Sequence, residues 1–478
     1  MSVPDRAAKD RARRLAALWA CCAALPGLAL LWGFTVDDAL ISTRVAVHIK
    51  AGLGYRFNAA GPVTDAVTPL GFAYVLALLP GDSSLELWGG ARWLGAAAYL
   101  STAARLGYEL GTLGNRGRYV GLIAIACCVP AAAWAGAGME TPLVALMATL
   151  AVFARGNALP ALSGLVGAWR PELLGWALVL SVVFAFGERE KGGDAARERV
   201  LRLLPALALA AGPAVFVAVV RAVAFGDPAP LAVWAKPSDL VHGLRYAGGA
   251  LVLSGAPWLL VSFRGYRRLA SRERAIAAAT FTALATLVAA GGDWMPFFRL
   301  LVPLLPSVVW LGARLAELDR PFVAWLRVGA VCASSLALGV GLGPAARGVA
   351  AQRTSLVDSA RPYLGKRSAV ATLDVGWVGA ATDATVIDLA GVTDPAIAVL
   401  GGGHTSKRVP WSLLNARDID TLVLLSGAYA SDSGLPAFAR AVENSLVRTA
   451  PSTIVQRAVL PLAGTRQSYF VLHVDGTP

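Results

Sequence analysis

The sequence predicts a polytopic α-helical membrane protein of about eleven transmembrane helices, closed by a small α/β domain. Three observations carry this. Hydrophobic residues make up 56% of the 478 residues and charged residues only 15%, against the roughly 25% usual in soluble domains. The apolar residues gather in runs of membrane-spanning length. Lys and Arg gather in short segments between those runs, which is the positive-inside pattern of a multi-pass protein. The net charge of +13 therefore reads as membrane topology, and nucleic acid is not an expected partner.

The first run, Leu15 to Phe34, reaches the about 20 apolar residues that a spanning helix needs. Arg6, Lys9, Arg11, Arg13 and Arg14 precede it, as in a signal peptide, but the run exceeds the usual h-region of about 7–15 residues. A retained anchor is expected. Further spans are expected at 88–110, 119–136, 141–155, 157–168, 171–187, 203–225, 246–263, 275–291, 299–316 and 325–343. The legs 157–168 and 171–187 form a tight hairpin joined at Arg170-Pro171-Glu172. The stretch 68–80 is too short to cross and would lie in the interface or dip part-way.

Basic residues then orient the chain. The N-terminal cluster, the loop with Arg264, Arg267, Arg268, Arg272 and Arg274, and the loop with Arg314 and Arg320 are assigned to the cytoplasm. The mixed loop 188–202, with Arg189, Lys191, Arg197, Arg199 and Arg202, joins them. Eleven crossings then place 35–67, 137–140, Arg170, 226–245, 292–298 and the C-terminal third outside. From about residue 345 the apolar runs shorten to strand length, at Ser368–Leu373, Thr385–Leu389, Leu422–Leu425 and Tyr469–Val474, interleaved with helix-like stretches such as Pro436–Val447. Two domains are expected, 1–344 in the membrane and 345–478 outside it. All five cysteines (Cys21, Cys22, Cys127, Cys128 and Cys332) lie in apolar runs and read as small buried hydrophobes. High Ala, Gly and Arg usage with little Lys suits a GC-rich bacterium, and so the bacterial inner (plasma) membrane.

The polar residues of interest converge on the outer face. Asp37 and Asp38 stand just past the first span, where a helix C-terminus disfavours negative charge, so another demand should hold them there. A carboxylate at a water–lipid boundary is suited to take a proton from a hydroxyl, and both acids are candidate catalytic residues. The plainer reading pairs them with Arg44. Glu140, in GMETP, is a substrate-binding candidate or a helix cap. Arg170 is a charge in an apolar hairpin, which marks a functional candidate, with Glu172 as its structural partner. Lys236, in WAKP, and Arg299, beside Asp293, would join Arg170 around an anionic phosphate. His404 completes the substrate-binding candidates, although lone histidines such as His404 and His48 are more often surface or hydrogen-bonded groups. Asp37, Asp38 and Glu140 would offer oxygen ligands to Mg²⁺ or Mn²⁺, but the expectation is that no metal or other cofactor is used. No GxGxxG, P-loop or zinc motif is present.

Taken in order, DDALISTRVAVHIKAGLGYRFN, GMETPL, the RPE hairpin, the GD…P…AK loop, GGDWMPFFRLLVPLLP and VIDLAGVTDPAIA resemble the GT-C superfamily of membrane glycosyltransferases. The resemblance, over residues 30 to about 400, is to the branch that contains mycobacterial terminal arabinofuranosyltransferases. Val45, TDAVTPLGF and WAKP depart from the family's pattern. The resemblance implies a GT-C fold and a polyprenyl-phosphate sugar as donor. It implies inverting transfer to an envelope glycan acceptor, and Asp37 as the base that deprotonates the acceptor hydroxyl. Asp38 would hold Arg44 or the acceptor, the membrane would supply the lipid, and the C-terminal domain would cover the site or bind acceptor glycan. The alternatives are a transporter or flippase of a polyprenyl-phosphate-linked lipid, and a non-catalytic assembly subunit. The absence of an inverted repeat, and an acid pair on a loop instead of mid-membrane, weigh against transport.

Overall fold

Helix boundaries follow the apolar runs. The computed structural model describes residues 3–187, 195–262, 264–365, 369–427, 435–451 and 453–474. Arg189, Lys191 and Ser368, used above, lie outside them. Ala7–Leu31, Leu201–Phe225, Arg299–Leu318 and Pro321–Leu364 are long and apolar enough to cross a membrane. Asn115–Ala126 and Val129–Ala135 are long and apolar enough only when taken together and are bent by 50° at their break, the geometry of a broken span or a re-entrant loop, with Pro130 in the first turn after the break. Shorter apolar helices occupy Thr141–Phe153, Ala158–Trp169, Pro171–Val183 and Leu240–Leu253. The protein is a multi-pass membrane protein with a small C-terminal sheet.

Local chemistry explains where helices depart from the predicted runs. The helix expected at 246–263 begins earlier, at Leu240, because Asp239 caps it there: its side chain accepts the His242 N–H at 3.1 Å. It stops at Leu253, where Gly255 takes φ 84° and opens the 3₁₀ turn Ala256–Leu260. The stretch 68–80 holds one eight-residue helix, Leu70–Ala77.

The segments gather into two compact units that alternate along the chain: 1–34, 92–217 and 238–347 form a helical bundle unit, and 35–91, 218–237 and 348–478 form a mixed unit. In the mixed unit, strands β1 (Ala369–Thr372), β2 (Thr385–Asp388), β3 (Thr421–Leu425), β4 (Ile454–Pro461) and β5 (Ser468–Val474) make one sheet of order β2-β1-β3-β5-β4. β1 pairs in parallel with β2 and β3, while β5 runs antiparallel to β3 and β4. Leu422, Leu424, Leu472 and Ile387 meet Ile397, Leu414 and Leu446 in its core. β4 is the strand that the sequence does not announce. It is an edge strand with exposed Gln456, Arg457 and Pro461 and a bulge between Gln456 and Ala458, so it lacks a buried alternation.

This α/β scaffold holds the other two segments of its unit. The Asn58 amide behaves like a strand partner for β2, donating to the Val386 carbonyl and accepting its N–H, both at 2.9 Å. Leu231 and Ala235 pack on Ala398. Arg221, only 2% exposed, donates Nε to Asp65 Oδ2 at 2.8 Å and also bonds the Thr68 carbonyl. A buried pair broken on one side leaves an uncompensated charge, at about 3–5 kcal/mol. Arg221→Met is therefore expected to lower the melting temperature of the purified protein sharply. Asp65→Leu/Arg221→Met should recover most of that loss.

Candidate functional site

The mixed unit sets the acid pair at the start of helix Asp38–Lys50. Asp37 accepts two backbone N–H bonds from the first turn of helix Val375–Ala381, from Gly376 at 2.7 Å and from Trp377 at 2.9 Å. A carboxylate is favoured at such a helix start, where N–H groups are unpaired. Behind it lies a charged network. Asp374 accepts from Arg440 at 2.5 Å and from the Tyr469 hydroxyl at 2.8 Å, and Arg353 reaches the same hydroxyl at 3.5 Å. Burial pushes the Asp37 carboxyl up to about 7; Arg353 opposes the rise, Asp374 adds to it, and the two N–H bonds oppose it. Burial acts on Asp374 too, but Arg440 and Arg353 hold it below the usual range. The network thus shifts two neighbouring carboxyls in opposite directions, which is how acid–base sites are built.

Asp38 is the more open acid, with 30% of its side chain exposed, and Lys236 Nζ stands 4.0 Å from its Oδ2. Although far apart in the chain, these residues are joined through the VIDLAGVTDPAIA segment. Asp388 is fully buried and accepts N–H bonds from Ala390 (2.8 Å) and Thr393 (2.7 Å). Asp394 caps Pro395–Ala398 and is paired with Arg417. The resulting knot presents Ala398 to the short helix Leu231–Ala235, whose next residue is Lys236.

Arg44 is not the partner of either acid. Its guanidinium is 4% exposed and bonds the carbonyls of Phe57 (2.8 Å), Thr382 (2.7 Å), Ala384 (3.1 Å) and Gly379. Burial brings it down to about 10, against the charge of Asp383. The expected pairing of the acids with Arg44 gives way because the carbonyls of Phe57, Gly379 and Thr382 belong to buried residues and need donors themselves. Arg44 ties the first loop to the α/β scaffold.

The bundle unit holds the second cluster. The 3₁₀ turn after extended Arg170 ends the hairpin, and Arg170 sits between two carboxylates, Glu140 at 2.6 Å and Glu172 at 2.6 Å. The Arg170–Glu172 pair is as expected. Glu140 stands at the N-cap position of Thr141–Phe153 but makes no cap bond; it is 1% exposed, and its Oε2 is buried without a hydrogen-bond partner among the described residues. Arg299 Nε lies 2.8 Å from Asp293 Oδ2. Between them Phe297 and Phe298 hold φ of 56° and 48°, left-handed values that cost about 1–3 kcal/mol each and are commonest at functional sites. Phe297 is held by Trp134, whose indole donates to its carbonyl at 3.1 Å, while Phe34 packs edge-on to both rings. Each cation expected to grip a phosphate thus comes with its own carboxylate: Lys236 with Asp38, Arg170 with Glu140 and Glu172, Arg299 with Asp293.

His404 is half-buried in the turn between Gly402 and Ser406. Among the described residues no group of three or more His, Cys, Asp or Glu side chains is arranged to hold a metal ion. Reasoning from sequence missed Arg353, Asp374, Arg440 and Tyr469 around Asp37, and the buried Asp65–Arg221 pair of the same unit. The available signal was the small-residue run DVGWVGA, in which Gly376 and Gly379 let the loop approach.

The fold has a match among solved structures. The structure of ArnT from Cupriavidus metallidurans bound to undecaprenyl phosphate aligns with a TM-score of 0.51 at 12% identity, covering 96% of this chain and 98% of that one. At that identity the likeness defines fold alone. Two structures of a mutant mycobacterial arabinofuranosyltransferase, AftD, align at 17% and 16% identity with TM-scores of 0.39 and 0.40, covering 96% of this chain and 41% of theirs. No family profile matches the sequence, and no curated protein does.

A Cβ added at Gly376 would meet the Asp37 carbonyl oxygen at 2.0 Å. Overpacking of this kind costs typically about 1–3 kcal/mol. Gly376→Ala is expected to lower the melting temperature and to displace the Asp37 loop, read as faster amide exchange at 35–40. Gly401→Ala, with nothing within 4 Å of its Cβ, should change neither.

Proposed function

We propose that this protein is an inverting glycosyltransferase that moves a sugar from a polyprenyl-phosphate donor to a hydroxyl of an envelope glycan, on the outer face of the bacterial inner membrane. Arabinofuranose is the leading donor sugar, from the sequence resemblance. The observation that carries the reading is Asp37: a desolvated carboxylate, preorganised by two N–H bonds, with Asp38 and Lys236 beside it, on a fold whose solved example was bound to undecaprenyl phosphate.

Each Asp37 oxygen accepts one N–H bond and keeps a further lone pair. Asp37 takes the proton of the acceptor hydroxyl as that oxygen attacks the anomeric carbon. The bond from the anomeric carbon to the phosphate oxygen breaks, its electron pair leaves with polyprenyl phosphate, and the configuration inverts. Lys236, oriented by Asp38, meets the charge that grows on the leaving phosphate. Glu140 Oε2 has lone pairs to accept from a sugar hydroxyl, with Arg170 holding the carboxylate in place. In this proposal Asp293 and Arg299 make a second polar contact to the donor, and His404 contacts the acceptor glycan. In this reading the N-terminus is cytoplasmic and the C-terminal domain extracytoplasmic.

Transfer by the purified protein from a panel of synthetic polyprenyl-phosphate sugars tests the assignment. Turnover of one donor is expected, with Asp37→Asn lowering kcat roughly 100- to 10,000-fold. A panel with no active donor, or an Asn variant as fast as wild type, rejects it, and lipid movement across vesicles without an acceptor would then favour the transporter.

A base held at about 7 is reactive only when deprotonated, so the rate should be level above that pH. Below it, kcat should fall toward tenfold per pH unit. Loss of Arg353, whose charge opposes the rise, should carry the Asp37 midpoint upward. An Arg353→Gln profile with the wild-type midpoint would show that the network does not tune Asp37.

A further inference from the structure

The bundle unit contains a cavity of about 430 Å³ that plays no part in the proposed chemistry. Arg13, Arg105, Arg155 and Arg272 line it, with Glu109 as the carboxylate among the lining residues. Four positive charges against one leave a net +3. The aromatic wall is Tyr108, Phe153 and Trp310. Arg13 and Arg105 lie over the Tyr108 ring at 5.2 and 5.7 Å, Arg105 also over Phe153 at 5.2 Å, and Phe153 meets Trp310 edge-on. Stacking of this kind fixes guanidinium planes while leaving their N–H edges to bind a ligand.

Two of the arginines have partners that hold the cavity open. Arg105 Nη2 pairs with Glu109 Oε1 at 2.7 Å. Arg272 donates to the Val152 and Ala154 carbonyls at the end of helix Thr141–Phe153. Burial brings the Arg272 guanidinium down from its usual value, Glu109 opposes, and Arg155 and Arg105 add to the fall; the arginines therefore repel one another. Like charges kept this close are stable when an anion sits among them. The cavity lies beside Arg13, at the start of the first span, and Arg272, at the start of helix Ser271–Ala289. That is the end of the bundle assigned by the positive-inside pattern to the cytoplasm.

We propose that this cavity is a binding site for a phosphate group, carried by an anionic phospholipid headgroup or by a soluble phosphate compound. The guanidinium groups of Arg13, Arg105 and Arg155 supply the charge-assisted bonds, and the aromatic wall supports them.

The test uses the full-length protein in nanodiscs. One arm adds phosphatidylglycerol to phosphatidylcholine and measures the lipid retained by native mass spectrometry. The other titrates inorganic phosphate in phosphatidylcholine alone. Affinity is expected to fall about fivefold for each arginine removed in Arg13→Gln, Arg155→Gln and the double variant. Loss confined to the first arm assigns the headgroup, and loss in the second assigns a soluble phosphate. Glu109→Gln, which removes the opposing charge, should tighten binding by a similar factor, and keeps the test sound if the arginine variants melt early. Equal affinities of wild type and variants in both arms overturn the site.

Discussion

Everything in the mixed unit hangs on the join between the first loop and helix Val375–Ala381. Asp37 accepts N–H bonds at its start, and Arg44 donates to carbonyls at its end. The two residues therefore hold both termini of one seven-residue helix, with charges of the sign that each terminus favours. Gly376 and Gly379 make the approach possible, since a Cβ at either would press on Asp37 or Arg44. An acid pair that looks out of place after a spanning helix is thus explained: the negative charge belongs to a different helix, 340 residues away.

The second organising constraint is that buried charge must be balanced where water is scarce. Glu140–Arg170–Glu172, Asp293–Arg299 and Asp65–Arg221 each set opposite charges against one another. This makes for a chemically graded set of groups. Arg44 and Arg221 are structural ties whose N–H groups go to carbonyls or a buried acid. Glu140 keeps an oxygen without a hydrogen-bond partner among the described residues. Asp38 and Lys236 remain partly exposed at 4.0 Å, a separation that leaves both with capacity for a ligand. Chemistry is best supported where the balance is incomplete.

The basic cavity follows the same rule in reverse. There the surplus is positive: one carboxylate, Glu109, faces four arginines, and aromatic faces support Arg13 and Arg105. Such a surplus is tolerable near an anionic surface and costly elsewhere.

Much of the architecture was legible in the chain itself. Apolar run lengths located the helices, and the shift to short runs near residue 345 located the sheet, but the breaks at Pro130 and Gly255 fall inside runs read as the continuous spans 119–136 and 246–263. β4 escaped because an edge strand need not bury alternate residues. Of the candidate site, Asp37, Asp38, Glu140, Arg170, Lys236 and Arg299 stood out because charge is rare in such a sequence and its cost demands a reason. Their partners did not. Which carboxylate faces Arg170, which donors hold Asp37, and why Arg44 turns to carbonyls depend on contacts between residues 30 to 340 positions apart. Hydrophobic periodicity is local, so the sequence alone determined the elements. Pairing of buried polar groups depends on which surfaces meet, so only the tertiary structure decided the site.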